Sequence, residues 1–239
     1  MHESAPPLSA APAAGIFRRP YLLVTVGSCA LVFLAAFESL AVTTVMPLVS
    51  RELDGASLYA LAFAGPLATG VIGMVGAGNW SDRRGPLVPL YASVVVFVLG
   101  LLIAGTSTAM DVLVAGLLVQ GLGGGAMTVA LYVVVARAYP AGLHPRIFAA
   151  FSAAWVIPSL VGPFAAGLVA QAVGWQWVFL GVVALVLPAL AMLVPSLRGV
   201  RSGAADLPVP WAFGRLAWAA LAALAVLGLN LSARIPAVG

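Results

Sequence analysis

An all-helical integral membrane protein is the fold class this sequence predicts, and three observations predict it. Apolar residues make up 63% of the 239-residue chain, and charged residues only 8%. Mean hydropathy is +1.12. The apolar residues gather in runs long enough to cross a bilayer, and a soluble domain of this length could not cover so much oily surface with so few polar groups.

The elements follow in order along the chain. Residues 1–20 are rich in Ala and Pro and end in Arg18-Arg19, like the basic end of a signal peptide. The run behind them, 21–48, is too long for a signal h-region of roughly 7 to 15 residues. It is therefore expected to be an uncleaved first span preceded by a disordered cytoplasmic tail. Taking roughly 20 apolar residues per crossing, further spans are expected near 57–78, 87–105, 112–136, 147–171, 175–194 and 211–231. Short polar connections separate them: Arg51-Glu52-Leu53-Asp54-Gly55, Asp82-Arg83-Arg84-Gly85, residues 106–111 and residues 137–146. Residues 196–210 are long enough for a cytoplasmic linker. The expected organisation is thus a bundle over 21–195, the linker, and a seventh transmembrane helix within 211–239 that opens an incomplete second half.

Charge gives the orientation. The net charge of +4 comes from arginine, since there is no lysine. Sorted by alternate connections, Arg18, Arg19, Arg83, Arg84, Arg137, Arg146, Arg198, Arg201 and Arg215 fall on one side, and Arg51 and Arg234 on the other. Basic loops stay on the cytoplasmic side, so a cytoplasmic N-terminus in the cell (inner) membrane is expected. This use of arginine argues against nucleic acid as a partner and for the lipid bilayer.

A short echo runs through the chain. Gly65-Pro66-Leu67-Ala68-Thr69-Gly70 in the second span returns as Gly162-Pro163-Phe164-Ala165-Ala166-Gly167 in the fifth. If the first six spans form two units of three, these are equivalent helices. Units of three spans insert in opposite senses, which is the building plan of many secondary transporters.

Four local patterns carry more. Phe37-Glu38-Ser39-Leu40-Ala41-Val42-Thr43-Thr44-Val45-Met46-Pro47 sets an acid inside the first span ahead of a Met-Pro end. Gly78-Asn79-Trp80-Ser81-Asp82-Arg83-Arg84-Gly85 lies between the second and third spans. Gln120-Gly121-Leu122-Gly123-Gly124-Gly125 lies in the fourth. Pro158-Ser159-Leu160-Val161-Gly162-Pro163-Phe164-Ala165-Ala166-Gly167 lies in the fifth and is followed by Trp175-Gln176-Trp177. Together these patterns resemble the major facilitator superfamily, and within it the drug:proton antiporters.

The resemblance implies a six-helix N-terminal bundle of two inverted three-helix repeats. It implies that Gly78, Asp82, Arg83 and Gly85 form a conformational clasp in a cytoplasmic loop, and that Gly162, Pro163 and Gly167 belong to an antiporter motif. Three departures stand out. Pro86 replaces a usual basic residue, Pro158 and Ala166 stand where glycines are usual, and Leu117 stands where an arginine tied to proton coupling is expected.

Glu38 is the focus of the functional reading. A carboxylate at bilayer depth costs roughly 2.5 to 3.5 kcal/mol on insertion scales and marks a proton, ion or substrate pathway by default. Leu34 and Val42 share its face one turn away, so its own helix offers no polar neighbour there. Glu38, Thr43, Gln120, Tyr132 and Trp155 are the candidate substrate- and proton-binding residues. The two aromatics are expected to supply a wall for a cationic ligand. The expected function is proton-coupled transport of drug-like or small organic solutes, with protons and solute competing for one carboxyl group. The alternative is a half-length chain that transports nothing alone, and that pairs with a second half or another copy, or serves as a membrane interaction partner.

Enzymatic chemistry lacks parts. His2 and His144 lie outside the spans, no His-Glu-x-x-His pattern occurs, and Cys29 is the single cysteine. No metal or cofactor is expected, and without lysine a retinal Schiff base has no anchor.

Overall fold

The structure is a computed structural model that describes residues 15–197 and 212–232. Most of the expected linker (198–210 of 196–210), most of the expected tail (1–14 of 1–20), and Arg198, Arg201 and Arg234 lie outside the described residues, while the first two linker residues, Ser196 and Leu197, belong to the last turn of the sixth helix. Seven α-helices account for most of the rest: α1 Leu22–Glu52, α2 Tyr59–Arg84, α3 Leu87–Gly105, α4 Met110–Ala138, α5 His144–Val173, α6 Gln176–Leu197 and α7 Phe213–Ser232. Among the described residues, six helices are long and apolar enough to cross a membrane, while the apolar stretch of α7, Phe213–Gly228, is shorter.

Each apolar run became a helix because, in oil, the backbone must satisfy its own hydrogen bonds. The helices extend past the apolar runs wherever polar residues can sit in the headgroup layer. Arg51 and Glu52 extend α1, and Asp82 to Arg84 extend α2. The segment expected as a signature loop is therefore mostly helix. Of its residues only Gly85 makes the turn, with φ 78° and ψ 170°, backbone that L side chains rarely adopt. Gly78 is ordinary helix, and an added Cβ there would meet only Val129 at 3.8 Å.

Packing follows a two-fold logic. α1 packs against α5 and α6, α4 packs against α2 and α3, and α3 meets α6. Exchanging the first, second and third helices for the fourth, fifth and sixth converts each of these pairings into another of the set. That is the arrangement expected of two interlocked triplets running in opposed senses, each lending its first helix to the other.

Helices in a bilayer gain little from hydrophobicity against one another and associate through close backbone approach instead. The glycine run of α4 serves this on two sides. Gly125 abuts the backbone of Gly70 on α2, and Gly123 abuts that of Phe97 on α3. Gly27 of α1 sits against the Ala189 carbonyl and Leu193 of α6, where a Cβ would come within 3.2 Å. Side chains staple both ends. The Thr25 hydroxyl donates to the Ile16 carbonyl at 2.7 Å and lies 2.8 Å from the Tyr139 hydroxyl, tying α1 to the end of α4. At the opposite end the Trp175 indole donates to Glu52 at 2.7 Å, tying α1 to the start of α6.

The ends differ in charge. Arg18, Arg19, Arg83, Arg84, Arg137, Arg146 and Arg215 stand at the end where α1 begins, with Asp82 the described acid among them. Arg51 shares the other end with Glu52, Asp54 and Asp111. Large apolar side chains such as Leu160 and Phe164 are more than 70% exposed, as a lipid-facing surface requires.

Candidate functional site

Glu38 sits near the middle of the 31-residue α1. By the 1.5 Å rise it is about 21 Å from the helix end at Glu52, too far for a short side chain to reach water along the helix. It faces protein and is 1% exposed. Across the bundle, Nε2 of Gln120 on α4 donates to its Oε2 at 2.6 Å. Its other oxygen, Oε1, is buried with no partner among the described residues. Leu34 and Val42 are buried on either side of it, as the helical spacing predicts.

Glu38, Thr43 and Gln120 line one hollow of about 200 Å³ between α1, α2 and α4, together with Phe63, Pro66 and Leu117. The Thr43 hydroxyl donates to the Leu40 carbonyl at 2.6 Å. Leu117, in the place where the resemblance leads one to expect an arginine, is 1% exposed and shares the hollow with the carboxyl group. Its alkyl side chain leaves the acid with an amide for a neighbour instead of a cation. Pro66 contributes too: it interrupts the hydrogen-bond ladder of α2, and the neighbouring Thr69 hydroxyl bridges to the Leu118 carbonyl of α4 at 2.7 Å.

A second hollow of about 160 Å³ adjoins the first, sharing Ser39, Pro66, Leu67 and Gln120 with it. Trp155 of α5, 47% exposed, lines this one. Tyr132 lines neither. Its ring stacks on Phe148 at 5.3 Å and meets Phe151 edge-on at 5.8 Å, so its aromatic face is engaged within the α4–α5 contact. The geometry thus brings together Glu38, Thr43 and Gln120, sets Trp155 next door, and sends Tyr132 elsewhere.

The other motifs occupy separate places. Asp82 is exposed and Arg83 half-buried in the last turn of α2. There Arg137 of α4 donates to the Ser81 carbonyl at 3.4 Å. In α5, Gly162 faces Phe37 and Leu40 of α1, at 3.6 and 3.9 Å from where a Cβ would stand, so this glycine borders the Glu38 turn. Pro163 is exposed inside the helix, and Gly167 has open space around it. Asn79 was not singled out by the sequence. Its side chain engages both backbone groups of Ala212, with Nδ2 to the carbonyl at 3.5 Å and Oδ1 to the N–H at 3.3 Å, and holds the start of α7 against α2.

Interlocked inverted triplets around a buried carboxyl group define a multi-pass membrane protein of the secondary-transporter class. The match to the Major Facilitator Superfamily model extends over residues 28–236, and the chain belongs to that family, one of transporters rather than enzymes. It is 32% identical over 209 residues to the "MFS efflux transporter aclA" of Aspergillus oryzae, covering 84% of this chain and 37% of that protein. It is 31% identical over 156 residues to a Mycobacterium tuberculosis protein called "Probable multidrug-efflux transporter", covering 65% of this chain and 33% of that one. The xylose transporter XylE from E. coli, solved in an inward-open conformation, shares the fold with a TM-score of 0.54 at 20% identity, over 91% of this chain and 56% of that one. The chain therefore spans about a third of the length of these curated relatives.

Proposed function

We propose that this chain supplies the first six-helix bundle (21–195) of a proton-coupled exporter of small organic solutes in the cell membrane, with its N-terminus in the cytoplasm. The single observation that carries the reading is the buried Glu38 carboxyl group with one oxygen held by Gln120 and the other without a partner. An apolar wall cannot solvate a charge on that free oxygen. Two occupants can relieve it: a proton on Oε1, or the positive or hydrogen-bonding group of a solute. They exclude one another, and that exclusion is the elementary requirement of antiport. When the hollow opens to one side, proton release leaves a carboxylate that receives solute; when it opens to the other, a proton displaces the solute. Thr43 and Gln120 supply polar contacts, and Trp155 an aromatic edge. Asp82, Arg83 and Gly85 then act as a latch at the arginine-rich end, while Gly162, Pro163 and Gly167 set how α5 lies on α1. The efflux names of the two curated relatives support export as the direction.

Alternating access needs a second bundle to rock against the first. In the proposed organisation the linker begins after Leu197, where α6 ends, and residues 211–239 lead toward that second half. The test measures accumulation of a labelled lipophilic cation in cells expressing this chain, alone and with a companion six-helix bundle, with and without an uncoupler. Expression should lower accumulation only while the proton gradient stands. Glu38→Gln should abolish that effect at unchanged membrane abundance. Equal export by Glu38→Gln removes the carboxyl group from the coupling, and activity only with the companion assigns the chain as a half-transporter.

A further inference from the structure

A third cavity lies away from the carboxyl group, between the first halves of α1 and α5 at the arginine-rich end. α1 and α5 meet closely around Phe37, Leu40 and Gly162. Nearer their starts the facing residues are small, Ala30 on α1 and Ala150 and Ala154 on α5, and a trough of about 690 Å³ opens between the helices. Phe17 and Phe33 wall it, and Arg146 in the first turn of α5 is the charged residue on its lining. The volume lies within the roughly 300–1,000 Å³ of small-molecule sites. It is more than three times that of the Glu38 hollow, which is about 200 Å³.

The lining separates into two chemistries. The walls are hydrocarbon and fit an alkyl chain, whereas water in the trough would find few partners. The mouth carries an exposed guanidinium with no ion pair among the described residues. Its surroundings are cationic, since Arg18 and Arg19 follow Phe17 directly. The imidazole of His144, two residues before Arg146, is engaged with the Tyr139 carbonyl at 2.9 Å. A planar guanidinium at the lip matches a phosphate, which it can hold through two parallel hydrogen bonds. Basic pockets between transmembrane helices at the basic end of a bundle bind anionic headgroups on these grounds.

We infer that the α1–α5 trough binds one anionic phospholipid, an acyl chain lying along Ala30, Ala150 and Ala154 and the phosphate held by Arg146. The site is separate from the Glu38 hollow, and its occupation does not depend on transport.

The experiment is native mass spectrometry of the purified full chain, titrated with phosphatidylglycerol or with phosphatidylcholine of the same chains. The wild type should retain one phosphatidylglycerol about fivefold more tightly than phosphatidylcholine, the preference expected of one surface arginine. Arg146→Gln should lose that preference, and Ala150→Trp, which fills the trough, should lose retention of both lipids. Arg84→Gln, at the same end but off the trough, should behave as wild type. If Ala150→Trp fails to give wild-type helicity by circular dichroism, the smaller filling Ala154→Leu takes its place. Equal binding of the two lipids, equal effects of Arg84→Gln and Arg146→Gln, or lipid retained by a filled trough overturns the assignment. So does a dimer that displaces lipid, which would make the trough a seat for a second copy.

Discussion

The side-chain amide of Gln120 stands 2.6 Å from the Glu38 carboxyl oxygen Oε2, joining residues 82 apart in sequence on the first helices of the two triplets. An amide differs from the arginine expected one turn earlier in a way that matters. A guanidinium would hold the acid charged, whereas an amide can donate to a carboxylate or, turned over, accept from a protonated acid. The pair can therefore serve both states of the proposed cycle without breaking.

Gln120→Leu should cost about 1–3 kcal/mol, because it removes the donor and leaves a buried acceptor unmet. Thermal unfolding in detergent measures it. A double-mutant cycle with Glu38→Leu should return a coupling of at least about 0.5 kcal/mol. Additive effects of the two substitutions would mean that the contact carries no energy.

Much of the helical frame was legible in the sequence because hydrophobic length is the one strict demand a bilayer makes. Residues 87–105 match α3 end for end. Elsewhere the helices overrun the apolar runs, since hydropathy reports only the part in oil. This is why Asp82 and Arg83 were expected in a loop and lie in the last turn of α2. The site was legible residue by residue but not as a geometry. Glu38 stood out by its cost and Gln120 by its motif, yet nothing in the sequence showed their contact. Tyr132 lies off both hollows, and an aromatic on a central helix carries no mark of which neighbour it faces; its ring packs on Phe148 and Phe151. The hold of Asn79 on Ala212 spans 133 residues and has no local signature either.

Leu117→Arg tests whether the hollow is built for one carboxyl group. The new guanidinium would enter beside Glu38. Alone, the variant should insert and remain folded, because the two charges pair. Combined with Glu38→Gln it should lose about 3–5 kcal/mol relative to Leu117→Arg, the cost of a buried charge without a partner. Comparable melting of the single and double variants would place Leu117 off the carboxyl group.

The two outer glycines of the signature segment should respond differently. Gly78→Ala adds a methyl group to open helix surface, where the nearest atom is 3.8 Å away, and should be neutral within about 0.5 kcal/mol. Gly85→Ala forces a side chain onto φ 78°, ψ 170° and should cost about 1–3 kcal/mol. Melting temperatures of the two variants decide it; a reversed order would reassign the turn.

The seventh helix gives the last prediction. Asn79 accepts from the N–H of Ala212 where α7 begins and donates to its carbonyl, which also takes the first helical bonds from Arg215 and Leu216, and α7 then runs along α2. A helix start leaves N–H groups without intrahelical partners, so a side chain that meets one of them fixes where the helix begins as well as what it touches. Asn79→Leu removes both bonds while keeping a similar volume in the wall of α2. Hydrogen–deuterium exchange of the amides at 213–217 should quicken by about five- to tenfold, the effect of roughly 1 to 1.4 kcal/mol of lost anchoring. Amides in the middle of α4, packed between α2 and α3, should keep their wild-type rates. Unchanged exchange at 213–217 would mean that apolar contact alone seats α7 on the bundle and that the Asn79 bonds are incidental to it.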